Sequence, residues 1–209
     1  MLSLITPLKK NTLDNVKIIW INGAFGSGKT QTAFELHERL PDSFVYDPEN
    51  MGYFIYSHIP KETKMPDFQD YTQWRSFNYD MLKYIADNYS GIIIVPMTIV
   101  VPQYYDEIIG RLINDGIEVK HIILEASKAT IHKRLRKRLD GGRWASQQTD
   151  RCIEAFATKI DGIRVNNENM TIKETADFIA AECKIELKDI KRGFIDRIRT
   201  QIRHIRWVR

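Results

Sequence analysis

"WINGAFGSGKTQTAFEL", residues 20–36, joins the end of an apolar run to a glycine-rich turn and then to a run of helix formers. Within it, Gly23-Ala24-Phe25-Gly26-Ser27-Gly28-Lys29-Thr30 satisfies the spacing G-x-x-x-x-G-K-[ST] at every fixed position. Each fixed residue has a chemical reason. Gly23, Gly26 and Gly28 let the backbone turn so that its N–H groups, Ser27's included, point inward at an anion. The helix that opens near Gly28 adds the positive end of its dipole. Lys29 reaches the β- and γ-phosphates, and the Thr30 hydroxyl is placed to ligate Mg²⁺. The preceding "VKIIWI" (16–21) is an uninterrupted β-branched and aromatic run, as expected of a strand covered on both faces. A strand before and a helix after are the context that makes the match a nucleotide-phosphate site.

Outward from this loop, apolar runs alternate with amphipathic stretches. Strands are expected at 16–21, 43–47, 91–97, 118–126 and 162–166. Helices are expected at 28–40, 71–89, 102–115, 128–139, 146–158 and 171–182, with Trp74, Phe77, Leu82 and Ile85 supplying much of the apolar side of the second. This rhythm indicates βαβ units and a five-stranded parallel sheet flanked by helices. The expected organisation is an N-terminal extension at 1–15, one domain at 16–186, and a basic C-terminal helix at 187–209.

The chain has 209 residues and 43% hydrophobic content, enough for a sizeable core without disulfide or metal support. Cys152 and Cys183 form no CxxC pair, and the five histidines show no metal-ligand spacing, so a zinc site is not expected. No secretory signal is visible, and the longest apolar run, 91–102, is too short to cross a bilayer and contains Pro96. A cytoplasmic location is therefore expected. The net charge of +4 is uneven: residues 189–209 alone carry +5, so the other 188 sum to −1. In 187–209 the apolar residues Leu187, Ile190, Phe194, Ile198, Ile202, Ile205 and Val208 recur at steps of three or four among arginines and lysines. That pattern suits an interfacial membrane helix or a helix packed on the sheet. Nucleic acid is not the expected partner.

The strand at 91–97 ends in Pro96, Met97 and Thr98 where motor and switch NTPases carry an acid, and no guanine-reading motif follows. With a single phosphate loop in about 200 residues, the chain instead resembles the small-molecule kinases of the adenylate, shikimate and gluconate type. That resemblance implies a helical lid, placed at about 128–158. In "RLRKRLDGGRW" (134–144) it implies that Arg134 stacks on adenine and that Arg138 neutralises the transferring phosphoryl group, with Arg143 and Arg151 able to join them. It implies that Asp47, at the carboxyl end of the second strand in "VYDPENMG" (45–52), accepts the acceptor's proton or helps hold Mg²⁺. Asp-Pro-Glu also reads as a helix start, and both readings can hold. Arg75 and Trp74, in "YTQWRSFNYD" (71–80), are the candidate acceptor contacts, a role that the aromatics around Arg75 share with simple core packing.

A narrower resemblance rests on "IIWINGAFGSGKTQTAFELHERL", "YDPENMG", "IIIVPMTIV", "EIIGRL", "KRLRKR" and "QTDRC" in that order. From about residue 17 onward the chain is similar to the bacterial tunicamycin-resistance proteins of the TmrB type. The resemblance implies an ATP-binding protein that protects a cell from tunicamycin, a nucleoside antibiotic with sugars and a fatty acyl chain. It also implies membrane association through a C-terminal amphipathic helix. Phosphorylation of the drug, its sequestration without change, and a metabolic kinase activity all remain open at this level.

Overall fold

The computed structural model describes residues 16–136 and 143–190. Its centre is a five-stranded sheet in the order β2-β3-β1-β4-β5, every neighbour parallel. The strands are β1 (Ile18–Gly23), β2 (Ser43–Val45), β3 (Ile92–Pro96), β4 (Val119–Glu125) and β5 (Ile163–Asn166). The helices between them are α1 (Lys29–Arg39), α2 (Glu49–His58), α3 (Thr72–Asn88), α4 (Pro102–Tyr105), α5 (Arg111–Asn114), α6 (Lys128–Arg136), α7 (Arg143–Gln147), α8 (Thr149–Thr158) and α9 (Ile172–Glu182). A five-residue π-helical segment, Asp106–Gly110, joins α4 to α5, so the helix expected at 102–115 is one path with a widened middle turn.

β1 is buried along its whole length because it lies between β3 and β4 and both faces of the sheet are covered. Its alternation sorts the core. Ile19 and Ile21 pack with Ala33 and Leu36 of α1 and with Ala176 and Ile179 of α9. Ile18 and Trp20 face the other way, against Trp74 and Leu82 of α3 and Ile108 and Leu112. α9 opens on a capping box in which Thr171 and Glu174 satisfy each other's backbone N–H groups.

Three expectations need adjustment. β1 begins two residues later than expected and runs on to Gly23, so the first loop glycine is also the last strand residue. Phe77 is 39% exposed, and the buried face of α3 is instead Trp74, Arg75, Asn78, Tyr79 and Leu82. The segment after Asp47 forms a helix of its own, α2, whose seat is Gly52: a Cβ there would lie 2.4 Å from the Phe68 ring. Residues 1–15, 137–142 and 191–209 lie outside the described residues, and with them Arg138 and most of the basic tail.

Trp20 is fully buried and its Nε1 donates to the carbonyl of Met97 at 3.1 Å. Trp20→Ala is expected to lower unfolding stability by roughly 3–5 kcal/mol, read by urea denaturation, since it opens a cavity and orphans that carbonyl.

Candidate active site

The loop after β1 follows a path that glycine adopts without penalty. Gly23, Gly26 and Gly28 all have left-handed φ, at 141°, 85° and 102°. Gly23 sits opposite Leu124 of β4, and a Cβ on it would stand 2.7 Å from the Leu124 carbonyl oxygen and 2.7 Å from Ser27 Oγ. At Gly26 a Cβ would meet Leu135 Cγ at 2.9 Å, because α6 packs directly on the loop. Both places therefore require glycine.

Lys29, the first residue of α1, folds its ammonium back over the loop, where Nζ donates to the carbonyls of Gly23 (3.0 Å) and Ala24 (3.1 Å). Thr30 follows it, half-buried. Ser27 Oγ is fully buried and has no hydrogen-bond partner among the described residues. An ammonium resting on carbonyls, an orphaned hydroxyl and a glycine cradle at a helix start together fit a phosphate chain.

Buried polar side chains hold the loop's root. Asn22 Oδ1 accepts from the N–H groups of Gly23 (2.9 Å) and Ile99 (3.0 Å), and its Nδ2 donates to the Ile99 carbonyl (3.0 Å). The same amide faces His121 Nε2 at 3.1 Å, while His121 Nδ1 donates to the Asp161 carbonyl at 2.7 Å. Burial holds the His121 pKa down at about 4, so the ring is neutral and both nitrogens are engaged. Just past the end of β3, where motor and switch NTPases carry an acid, Thr98 Oγ1 donates to the Gly23 carbonyl at 2.9 Å.

Arg134 comes off α6 onto the far side of the loop. It donates to the Ser27 carbonyl (3.3 Å) and to the carbonyl of Asn167 (2.9 Å), and Asn167 Nδ2 reaches the same Ser27 carbonyl at 2.8 Å. Beside it a cleft of about 310 Å³ is lined by Thr130, Lys133, Arg134, Glu168 and Asn169. Asn167 and Glu168, on the β5–α9 turn, carry no sequence signal that singles them out.

Asp47 lies just past β2, and its Oδ1 accepts from the Glu49 N–H at 3.0 Å, so it does begin a helix. Its carboxyl is pushed up to about 7, first by burial and then by Glu49, against the pull of that N–H and of Lys29. Lys29 is thus near enough to act on it electrostatically. Trp74 is fully buried and its Nε1 donates to the Pro48 carbonyl at 3.0 Å. Arg75 is also buried: it is bonded through Nε to Glu107, donates to the Gln69 carbonyl at 2.6 Å, and covers the Tyr104 ring at 4.4 Å. Direct contact of either with an acceptor would require these bonds to be given up. Among the described residues no group of three His, Cys, Asp or Glu side chains lies together as a metal cage. That is compatible with Mg²⁺, which is typically held by one or two protein oxygens plus phosphate oxygens.

A parallel sheet in this order, with a phosphate loop after its central strand, defines a nucleotide-binding protein of the P-loop kinase class. The family model described as an AAA domain matches residues 18–162. The tunicamycin resistance protein of Deinococcus radiodurans is 31% identical over 84% of this chain and 99% of that one, with a TM-score of 0.72. A sugar kinase from Janibacter is 18% identical over 81% of this chain and 95% of its own, at 0.57. The shikimate kinase of Bacteroides thetaiotaomicron is 15% identical over 81% and 99%, at 0.56. The last two share the fold. No curated protein sequence matches the chain. The chain belongs to the AAA-domain P-loop family and, within it, to the tunicamycin-resistance proteins.

Two outcomes follow from this geometry. Gly23→Ala should abolish measurable nucleotide binding by calorimetry, since neither the left-handed φ nor the Leu124 carbonyl leaves room for the methyl. Asp47 has a folded pKa of about 7 against an ordinary 3.8, so the native state binds the extra proton between those values. Stability is then lost as pH rises through that window. Asp47→Asn, which keeps an acceptor for the Glu49 N–H, should gain on wild type in denaturation midpoint from pH 4 to pH 8.

Proposed function

We propose that the protein transfers the γ-phosphoryl group of ATP to a hydroxyl of tunicamycin or a similar nucleoside antibiotic. The observation that supports this best is the Asp47 carboxyl, held near neutral pKa within the electrostatic reach of the loop lysine. A base poised near the working pH is what proton removal from an alcohol needs. Gly23, Gly26, Ser27 and Gly28 supply the phosphate cradle, and Lys29 orients the β- and γ-phosphates. Thr30, and Asp47 where it acts on the metal side instead of as the base, are the residues that would hold Mg²⁺, which when bound offsets phosphate charge. Arg134, beside the cleft against Asn167, is assigned to the adenine. Arg138 is assigned to the transferring group on the strength of the sequence alone. Trp74 and Arg75 are assigned to the acceptor side, acting through the backbone they hold at Pro48 and Gln69.

A second reading, ATP-dependent sequestration of the drug without chemical change, draws support from Thr98 in place of an acid at the end of β3. Peripheral membrane contact through residues 187–209 belongs to either reading and rests on the sequence pattern. Among the described residues no helix is long and apolar enough to cross a membrane.

Mass spectrometry of tunicamycin incubated with the protein and Mg-ATP separates the two. A gain of one phosphoryl group is expected; unchanged drug with saturable, ATP-dependent binding supports sequestration instead. Asp47→Asn should slow product formation by roughly 10²–10⁴-fold with nucleotide affinity nearly unchanged. Turnover at the wild-type rate would remove Asp47 from the role of base.

A further inference from the structure

Between the phosphate loop and helices α7–α8 runs a second, tighter crevice, lined among others by Phe25, Asp67, Gln69, Thr98, Trp144 and Arg151. Its floor is a bonded relay leading back to the loop. Asp67 Oδ1 accepts from the Gln69 N–H at 3.0 Å and so caps the short 3₁₀ turn Phe68–Asp70. Gln69 Nε2 donates to the Thr98 carbonyl at 3.0 Å, and the Thr98 hydroxyl donates to Gly23. From behind, Arg75 donates to the Gln69 carbonyl and the Trp74 ring lies 5.4 Å from that of Phe68. The turn that carries Asp67 is therefore fixed relative to the phosphate loop, although the segment before it is exposed.

Two opposite charges line this crevice. Arg75, whose guanidinium backs the turn at the Gln69 carbonyl, is paired with Glu107. What faces the crevice is one carboxylate, Asp67, and one guanidinium, Arg151, whose charge reaches Asp67 from across the gap. Gluconate and shikimate are carboxylates, and a fixed carboxylate on the wall repels such acceptors. An uncharged hydroxyl meets the opposite situation, since an ionised carboxylate is a strong acceptor for it. Apolar walls complete the site: the Phe25 and Trp144 rings meet edge to face at 5.0 Å, and Trp144 is 49% exposed at the mouth. Aromatic walls with a few fixed polar groups suit the mixed faces of a sugar.

We propose that Asp67 is the acceptor-recognising carboxylate, holding a hydroxyl of an uncharged glycosyl group opposite Arg151 and turning anionic acceptors away. This rests on the phosphotransferase reading and adds to it the substrate class and the residue that selects it. In this conformation the crevice has about 10 Å³ of room, no more than a single water requires. Entry of a glycosyl group thus requires α7–α8, which carry Trp144 and Arg151, to move off the loop and return over the bound acceptor.

The test is calorimetry on the full chain with a saturating non-hydrolysable Mg-ATP analogue, titrating tunicamycin, gluconate and shikimate in turn. Wild type should bind tunicamycin saturably and neither acid. Asp67→Asn keeps an oxygen for the Gln69 N–H and loses the charge; it should weaken tunicamycin at least about tenfold while nucleotide affinity and melting temperature stay near wild type. Asp67→Ala should weaken the drug further, and nucleotide affinity reports whether it has folded. Undiminished drug binding by both folded variants, equal binding of an acid by wild type, or no binding of tunicamycin by wild type overturns the proposal. Mass spectrometry on wild type incubated separately with tunicamycin and hydrolysable Mg-ATP keeps the two readings apart: drug bound through Asp67 in the calorimeter but showing no mass gain with ATP sinks the phosphotransferase reading alone.

Discussion

The carboxyl end of β1 is a place where no side chain fits, and the site is built around that fact. Gly23 is at once the last residue of the central strand and the first of the phosphate loop, closed in by the Leu124 carbonyl on one side and Ser27 on the other. Because β1 lies between β3 and β4, the two strands that flank it also set the walls of the loop. The close approach brings the Lys29 ammonium over the carbonyls of Gly23 and Ala24. It also puts the Gly23 carbonyl in reach of Thr98 at the end of β3.

Around that point the interior is polar, and nearly every polar group there is bonded. Asn22 bridges β1 to the residue after Thr98, and His121 completes it from β4 as a neutral ring. A buried amide that satisfies two backbone N–H groups and one carbonyl is costly to disturb, because each orphaned partner loses about 1–3 kcal/mol. The loop's root is in this way fixed by three strands at once. Among the described residues Ser27 Oγ is one of the few buried side-chain polar atoms without a hydrogen-bond partner, and it lies in the loop.

Two carboxylates near the loop show how environment separates like groups. Asp47, after β2, is raised chiefly by burial and sits in the field of Lys29. Asp67 is raised by burial too, but its opposing charge is Arg151, from the helices that cover the loop. The two carboxylates thus meet different cations, one on the phosphate loop and the other on the helix at Thr149–Thr158. Buried Arg75 is paired with half-exposed Glu107, which offsets its charge behind the crevice.

The phosphate loop was legible because its chemistry is local: three glycines, a lysine and a threonine at fixed spacing describe a backbone shape whatever surrounds them. The strand and helix rhythm was legible for the same reason, and the sheet follows from it. Asp47 stood out only by its place at the end of a strand, and α2 behind it was hidden because "ENMGYFIYSH" exposes much of its apolar surface and keeps only Gly52 buried. Asp67, Gln69 and Asn167 carried no signal at all. Their positions come from contacts 29 residues away, as between Gln69 and Thr98, or 140 away, as between Asn167 and Ser27. Arg75 and Trp74 were visible as an arginine and a tryptophan on a helix, but whether they face a ligand or the interior depends on Glu107, Gln69 and Pro48. The loop and the layered sheet are written in the chain itself, since both follow from backbone conformation and short-range periodicity. Tertiary structure alone decided which charges face the crevice and which are neutralised inside, because a side chain's electrostatic role is set by neighbours that folding, not chain order, brings to it.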